Sequence, residues 1–161
     1  MKKIGFIIVF FFMVSYLFSQ TANIQTGGSF RIMEVREVTS TNQFIRPDEN
    51  MRFIAFDILV DNTNGNMDIN FNLFMGSIEV RDSEGRTYTP DLMSGTLTKP
   101  EMNPNATIEA GDLIRGWMTI QIPQNIPING LRIRINAMQG RSDWITIGRW
   151  TLVYKGDFYE K

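Results

Sequence analysis

The stretch DNTNGNMDIN, from Asp61 to Asn70, gathers the acid and amide side chains that often bind calcium. An EF-hand loop needs glycine at its sixth position and glutamate at its twelfth. Counted from Asp61, glycine falls at the fifth position and Asn72 at the twelfth. The pair Asn64-Gly65 instead favours a turn, because both residues tolerate a positive φ. We therefore expect a turn here, although irregular loops can also collect oxygen ligands.

The rest of the inventory argues against catalysis. The chain has no histidine and no cysteine, which excludes Ser-His-Asp triads, Cys-His pairs, histidine-containing zinc sites and thiolate-bound clusters. The nearest carboxylate pairs, Asp48 with Glu49 and Asp82 with Glu84, lie in turn sequences where a solvated charge is ordinary. The sequence therefore predicts a protein that is not an enzyme and carries no cofactor.

Methionine is the remaining candidate metal ligand, because thioether groups select soft ions such as copper(I). Met118 is in phase with Ile120 and Ile122, which predicts a core position. The methionines after residue 20 are scattered along the chain rather than clustered, so we predict that they fill the core or lie in loops: Met33, Met51, Met67, Met75, Met93, Met102, Met118 and Met138.

A tryptophan marks the candidate partner face. In LIRGWMTIQIP the alternation assigns one set of side chains to the core: Ile114, Gly116, Met118, Ile120 and Ile122. The opposite face is then formed by Arg115, Trp117, Thr119 and Gln121. An outward indole is a large anchor for a partner. The alternative is cross-strand packing, with Arg132 or Arg134 over the indole. We favour packing and keep the four residues as a possible partner face.

Strands must position these residues, since apolar residues recur with a period of two. In RFIAFDILV, the residues Ile54, Phe56, Ile58 and Val60 share one face and Asp57 takes the other. No long stretch has the 3.6-residue period of a helix. The strongest strand segments are Phe30–Val38, Met51–Val60, Ile69–Phe74, Gly76–Arg81, Thr87–Thr89, Leu113–Ile122, Leu131–Asn136 and Trp144–Tyr154. We predict an all-β, immunoglobulin-like antiparallel sandwich of seven to eight strands over residues 24–156.

The N-terminus is typical of an exported protein. Lys2 and Lys3 precede an apolar run from Ile4 to Phe18, whose 15 residues fall short of the roughly 20 that a spanning helix needs. We predict a signal peptide over residues 1–20, with cleavage after Ser19, Gln20 or Ala22. The alternative is an uncleaved membrane anchor. Without cysteine the chain cannot be lipid-modified at that residue, so we expect a secreted or periplasmic protein.

Charge limits the partners. The chain has 16 basic and 17 acidic residues and a formal net charge of −1. No basic stripe is present, which argues against nucleic acid and against an anionic membrane surface. We expect no stable membrane insertion after signal cleavage. Without disulfides, burial of apolar surface must stabilise the domain.

Short motifs between Ser29 and Asn136 resemble a bacterial family of unknown function, related to telokin-like, immunoprotective extracellular proteins with immunoglobulin-like sandwiches. A strand ends in Asn, another runs into Asp-x-x-Gly-x-x-Tyr, and a Gly-Asp turn leads into a strand that ends in proline. The matching residues are Asn62, Asp82, Gly85, Tyr88, Gly111, Asp112, Gly116, Ile120, Ile122 and Pro123. The resemblance implies a secreted or surface sandwich without established catalysis, in which these residues are structural.

Two functions are consistent with these observations. The first is an exported interaction or adhesion module, whose partner is another protein or an envelope component. The alternative is a carrier of a small ligand or metal in the envelope, with its site between the sheets.

Overall fold

The computed structural model describes residues 20–38, 45–90, 101–148 and 153–156, the last for the backbone only. These residues form twelve β-strands and one turn of 3-10 helix (Leu73–Met75), and no described helix is long and apolar enough to cross a bilayer. The strands are β1 (Gln20–Asn23), β2 (Ser29–Val38), β3 (Met51–Asp61), β4 (Ile69–Asn72), β5 (Ile78–Arg81), β6 (Thr87–Tyr88), β7 (Asn105–Ile108), β8 (Leu113–Pro123), β9 (Arg132–Ala137), β10 (Gly140–Arg141), β11 (Ile145–Thr146) and β12 (Val153–Gly156).

The first sheet has the strand order β1-β2-β3-β8. Its centre is β3, which pairs antiparallel with β8 from Met51↔Pro123 to Asp61↔Leu113. On its edge away from β3, β2 pairs with two strands. Its first half pairs antiparallel with β1, and its second half pairs parallel with β12. A β-bulge between Ile32 and Glu34 lies where the edge partner changes.

The second sheet has the order β10-β9-β5-β6, and β11 also pairs with β9. In β9 the inner side chains Ile133 and Ile135 are fully buried, so Arg132 and Arg134 lie on the outer face. The strands β4 and β7 form a separate antiparallel pair, in which Asn72 lies opposite Asn105.

The core lies between the two sheets, since the inner side chains of β2, β3 and β8 form one apolar cluster with those of β5 and β9. Phe30, Phe56, Ile120 and Ile133 are among its fully buried members. Burial of this apolar surface is the main favourable contribution to folding, as expected for a chain without cysteine. The predicted all-β sandwich is therefore confirmed.

The strand prediction was incomplete. The short strands β1, β7 and β10 were not predicted, and Gln20, counted as the last residue of the signal peptide, begins β1. The single strand expected from Trp144 to Tyr154 was wrong. Its residues contribute β11 to the second sheet and β12 to the first, a choice of partners that local periodicity does not encode. Residues 1–19, the rest of the predicted signal peptide, lie outside the described residues.

Asp82 organises the turn after β5. Its Oδ1 accepts hydrogen bonds from the backbone N–H groups of Glu84 (2.9 Å) and Arg86 (3.0 Å). Its Oδ2 accepts from the Tyr88 hydroxyl at 2.8 Å. Gly85 has φ 84°, a positive value that glycine adopts without steric cost. These contacts give the Asp-x-x-Gly-x-x-Tyr motif a structural role.

The stretch from Asp61 to Asn70 contains the predicted turn, which connects β3 to β4. The N–H of Gly65 donates to the carbonyl of Asn62 at 2.9 Å, and the Asn62 amide donates to the carbonyls of Met67 and Ile108. Gly65 is required by close approach rather than by positive φ, because an added Cβ would lie 1.8 Å from Asn62 Oδ1. Among the described residues no group of three acidic side chains could hold a metal ion.

Candidate functional site

The candidate partner face on β8 has the predicted direction but is not an open surface. Arg115, Trp117, Thr119 and Gln121 lie opposite the core residues of the strand, yet Trp117 is 6% exposed and Thr119 is 1% exposed. Trp117 packs in a second apolar cluster with Val38, Phe53 and Ala55. Trp117 therefore packs, as favoured from the sequence, because the sheet has a small apolar cluster on its outer side as well.

Residues of the connection between β2 and β3 cover part of the apolar cluster around Trp117. Ile45 packs against the cluster around Trp117. The backbone N–H of Asp48 donates to the side-chain oxygen of Gln121 at 2.9 Å. Trp117 and Gln121, two of the four residues of the predicted partner face, are therefore in contact with the β2–β3 connection.

Charges on this outer face are balanced. Arg115 forms a two-pronged ion pair with Asp57, in which Nε lies 3.0 Å from Oδ1. Arg36 pairs with Glu34, and its guanidinium lies 5.0 Å from the centroid of the Trp117 ring. Arg132 and Arg134, expected over Trp117, lie on the other sheet instead. We call this surface the first-sheet face: Glu34, Arg36, Asp57, Arg115 and Trp117.

Arg132 and Arg134 lie beside the indole of Trp144 instead. Trp144 precedes β11, and the pairing of β11 with β9 places it on the outer side of the second sheet. The guanidinium carbons of Arg134, Arg132 and Arg81 lie 4.2, 5.3 and 5.4 Å from its ring centroid. All three distances are within the roughly 6 Å range of a cation–π contact. We call this surface the arginine–tryptophan face: Glu79, Arg81, Arg132, Arg134 and Trp144.

The register concentrates positive charge on the arginine–tryptophan face. Arg81 and Arg132 are direct cross-strand partners, an arrangement that is destabilising for like charges. Glu79 lies opposite Arg134 and forms ion pairs with both Arg134, at 2.6 Å, and Arg81. Arg132 has no carboxylate partner among the described residues. One carboxylate thus faces three guanidinium groups.

Glu79 remains ionised in this setting. Its burial raises its pKa, but the hydrogen bonds and charges of Arg134 and then of Arg81 outweigh burial and hold the pKa of Glu79 below its usual value. At neutral pH the carboxylate of Glu79 and the three guanidinium groups of the face together carry a local charge of about +2. The formal net charge of the whole chain is −1.

A shallow cleft of about 270 Å³ adjoins Trp144 and Arg134. Arg141 also lines it, and Asn136 Oδ1 accepts from Arg141 Nε at 3.0 Å. Guanidinium groups bind carboxylate and phosphate groups through paired hydrogen bonds. Asp143 lines the cleft as well, so two guanidinium groups and one carboxylate leave it a net positive charge that is suited to holding an anion.

Part of this face was visible in the sequence. The alternation in LRIRIN predicts that Arg132 and Arg134 point outward. Nothing local predicts that Trp144 and Arg81 join them, because that depends on the pairing of β9 with β11 and β5.

The fold and the two outer faces define a small all-β sandwich domain. The chain belongs to a family described as a domain of unknown function, DUF4352, whose model matches residues 24–139. This confirms the expected membership of a bacterial family of unknown function. No curated protein matches the chain.

Solved structures share the fold at low sequence identity. One is that of a candidate lipoprotein, ycdA, from Bacillus subtilis, with a TM-score of 0.53 and 10% identity over 80% of this chain. Only 39% of that protein is covered, so this chain spans well under half its length. Another is the yjhA protein of Bacillus subtilis, with a TM-score of 0.51 and 14% identity, covering 74% of this chain and 90% of that one. At such identities the likeness concerns the fold alone.

Proposed function

We propose that this protein is an exported, non-enzymatic binding module of the cell envelope, and that the arginine–tryptophan face binds an acidic segment of a partner protein. The observation that carries the proposal is the direct pairing of Arg81 with Arg132 beside Trp144, where the described part of the chain sets one carboxylate, Glu79, among three guanidinium groups. An acidic side chain from a partner would relieve this repulsion, while the indole would supply apolar contact area.

Net charge supports a short acidic segment rather than a long polyanion. The full chain is formally −1, and removal of Lys2 and Lys3 would make it about −3. A polymer such as nucleic acid extends beyond a local patch and would meet this repulsion, whereas a few carboxylates would lie within the roughly 10 Å over which the patch acts at moderate salt.

Envelope localisation rests on two observations. The first is the N-terminal sequence, in which Lys2 and Lys3 precede a short apolar run. The second is the similarity to the Bacillus subtilis candidate lipoprotein.

Arg132→Gln tests the binding proposal, with a fluorescent hexaglutamate peptide as the probe. We expect about tenfold weaker binding, since one charged contact of about 1.4 kcal/mol is lost. The matched control is Arg31→Gln on the first sheet, which removes the same charge elsewhere and should leave affinity unchanged. Equal losses in the two variants would indicate a non-specific charge effect and would contradict the proposal.

Processing provides an independent test of export. Ala22 is buried and lies opposite Phe30 in the β1–β2 pair. Cleavage after Ser19 would preserve the whole of β1, whereas cleavage after Ala22 would remove three of its four residues. We expect the exported protein to begin at Gln20, which intact mass measurement would establish. A mature species that begins at Met1 would instead support the membrane-anchor alternative.

A further inference from the structure

A second cleft, with chemistry unlike that of the arginine–tryptophan face, lies beside the β4–β7 pair. Its volume is about 470 Å³, which is within the range of small-molecule sites. Every described residue that lines it is uncharged. We call it the amide cleft and define it by Asn70, Asn72, Met75, Ser77, Asn136 and Met138.

Internal hydrogen bonds orient three of its asparagine side chains. The Thr107 hydroxyl donates to Asn70 Oδ1 at 3.1 Å. The backbone N–H of Met75 donates to Asn72 Oδ1, also at 3.1 Å. Asn136 Oδ1 accepts from Arg141 Nε at 3.0 Å and from Nη2 at 2.9 Å. In each case the oxygen accepts an internal hydrogen bond, which fixes how the amide is turned.

The consequence is a set of available donors. Among the described residues, the amide N–H₂ groups of Asn70, Asn72 and Asn136 have no hydrogen-bond partner. The hydroxyl oxygen of Ser77 accepts from the backbone N–H of Asn72 at 2.8 Å, which leaves its own proton available. The cleft thus offers several free hydrogen-bond donors, which a ligand rich in oxygen acceptors would meet.

Two methionines add apolar surface. Met75 is 84% exposed and Met138 is 93% exposed, more than any other large hydrophobic side chain described. Unbranched thioether side chains adapt to irregular apolar surfaces. A ligand that presents both C–H surface and oxygen acceptors fits this lining.

We propose that the amide cleft binds a neutral oligosaccharide. A charged ligand would lose hydration without meeting an opposite charge in this cleft. An extended peptide brings as many backbone N–H donors as carbonyls, and those donors would not match the free amide N–H₂ groups of this cleft. Sugar hydroxyl and ring oxygens accept hydrogen bonds, while the C–H face of the ring can contact the methionines. The proposal is independent of the arginine–tryptophan face.

Oxidation of methionine provides the readout. The full-length protein is treated with dilute peroxide alone and with millimolar tetramers of N-acetylglucosamine, glucose or mannose, and sulfoxide formation is measured by mass spectrometry. At least one tetramer should slow the oxidation of Met75 and Met138 several-fold. Met67, which is 54% exposed and lies outside the cleft, should oxidise at an unchanged rate. Absence of protection by every tetramer would overturn the proposal.

Two asparagine substitutions test the role of the donors. Asn136→Asp and Asn72→Asp keep the oxygen that accepts from Arg141 or Met75 but replace the free N–H₂ donor with an acceptor. Each should weaken binding of the protective tetramer about tenfold. The control, Asn66→Asp, makes the same change at an exposed turn residue outside the cleft and should have no effect.

The outcomes separate the alternatives. Equal weakening by Asn66→Asp and Asn136→Asp would overturn the proposed donor role. An uncharged Gly-Ser-Thr peptide that protects Met75 and Met138 better than every tetramer would overturn the assignment to a saccharide. Circular dichroism of each variant checks that the fold is retained, so that lost binding is not mistaken for unfolding.

Discussion

The two sheets each place a tryptophan next to arginine on their outer side, but the surroundings of the two indoles differ. Trp117 on the first-sheet face is 6% exposed and lies in an apolar cluster with Phe53 and Ala55. Trp144 on the arginine–tryptophan face is only partly buried, with three guanidinium groups within 5.4 Å of its ring centroid. Burial therefore distinguishes the two indoles.

Charge balance separates the same two faces. On the first-sheet face each of Arg36 and Arg115 has a carboxylate partner, Glu34 and Asp57. On the arginine–tryptophan face Glu79 pairs with Arg81 and Arg134, and Arg132 has no carboxylate partner among the described residues. The first-sheet face is balanced in charge and its indole is buried, whereas the arginine–tryptophan face keeps an excess of positive charge beside a half-buried indole, the combination that we propose binds an acidic partner. We therefore expect a tryptophan–arginine contact in this protein to bind a partner only where an arginine lacks a carboxylate and the indole is partly exposed.

The largest expected effect comes from truncating the two indoles. Trp117→Ala should lower the free energy of unfolding by about 3 kcal/mol, because it leaves a cavity in a closed apolar cluster. Trp144→Ala should cost only about 1 kcal/mol, since its ring is partly solvated. Urea titration of both variants measures the difference. Equal costs would remove the distinction between a packing tryptophan and a surface one.

Binding should show the opposite order. Trp144→Ala should weaken capture of the hexaglutamate peptide, whereas Trp117→Ala should leave it unchanged in protein that is still folded. If Trp117→Ala alone abolished binding, the result would support the candidate partner face on β8 and contradict binding at the arginine–tryptophan face.

Matched arginine substitutions give the next largest effect. Arg115→Gln leaves the buried carboxylate of Asp57, whose side chain is 4% exposed, without its ion-pair partner. We expect a loss of about 2 kcal/mol, less than for a fully buried pair because the Arg115 side chain is itself 56% exposed. Arg132→Gln should change stability by no more than about 0.5 kcal/mol, because relief of its repulsion with Arg81 offsets the lost cation–π contact.

Thermal or urea unfolding of the two variants is the check. A large loss of stability in Arg132→Gln would show that Arg132 holds the sheet together, and would remove the main physical reason for assigning it to a binding face.

The sequence predicted those features that depend on local alternation. The prediction of which residues face the core was correct for β3, β8 and β9, because a period of two can be recognised from neighbouring residues alone. The burial of Trp117 was not predictable, since Ile45 and Val38 reach it from elsewhere in the chain. Trp144 and the amide cleft were missed for the same reason. Each is assembled from segments whose pairing is decided by the whole fold.

The smallest effect is the most specific to the arginine–tryptophan face. Glu79→Gln raises the local charge from about +2 to about +3, which should tighten hexaglutamate binding about threefold, by about 0.7 kcal/mol for one charge at roughly 6 Å in water. Glu34→Gln is the control from the first-sheet face and should leave binding unchanged. Weaker binding in Glu79→Gln would mean that Glu79 acts chiefly by positioning Arg81 and Arg134.

Glu79→Gln should lower the free energy of unfolding although it tightens binding, and the size of this loss should depend on pH. The folded state holds the pKa of Glu79 below its usual value, because the hydrogen bonds and charges of Arg134 and Arg81 outweigh the opposing effect of burial. This contribution to stability is therefore present above about pH 4.5 and lost as the pH falls further, through the folded pKa. Between pH 7 and pH 3 the wild type should lose more stability than Glu79→Gln, which has no carboxyl group to protonate there. Urea midpoints measured at pH 7, 5 and 3 provide the comparison, and parallel losses in the two proteins would show that Glu79 is not a source of acid sensitivity.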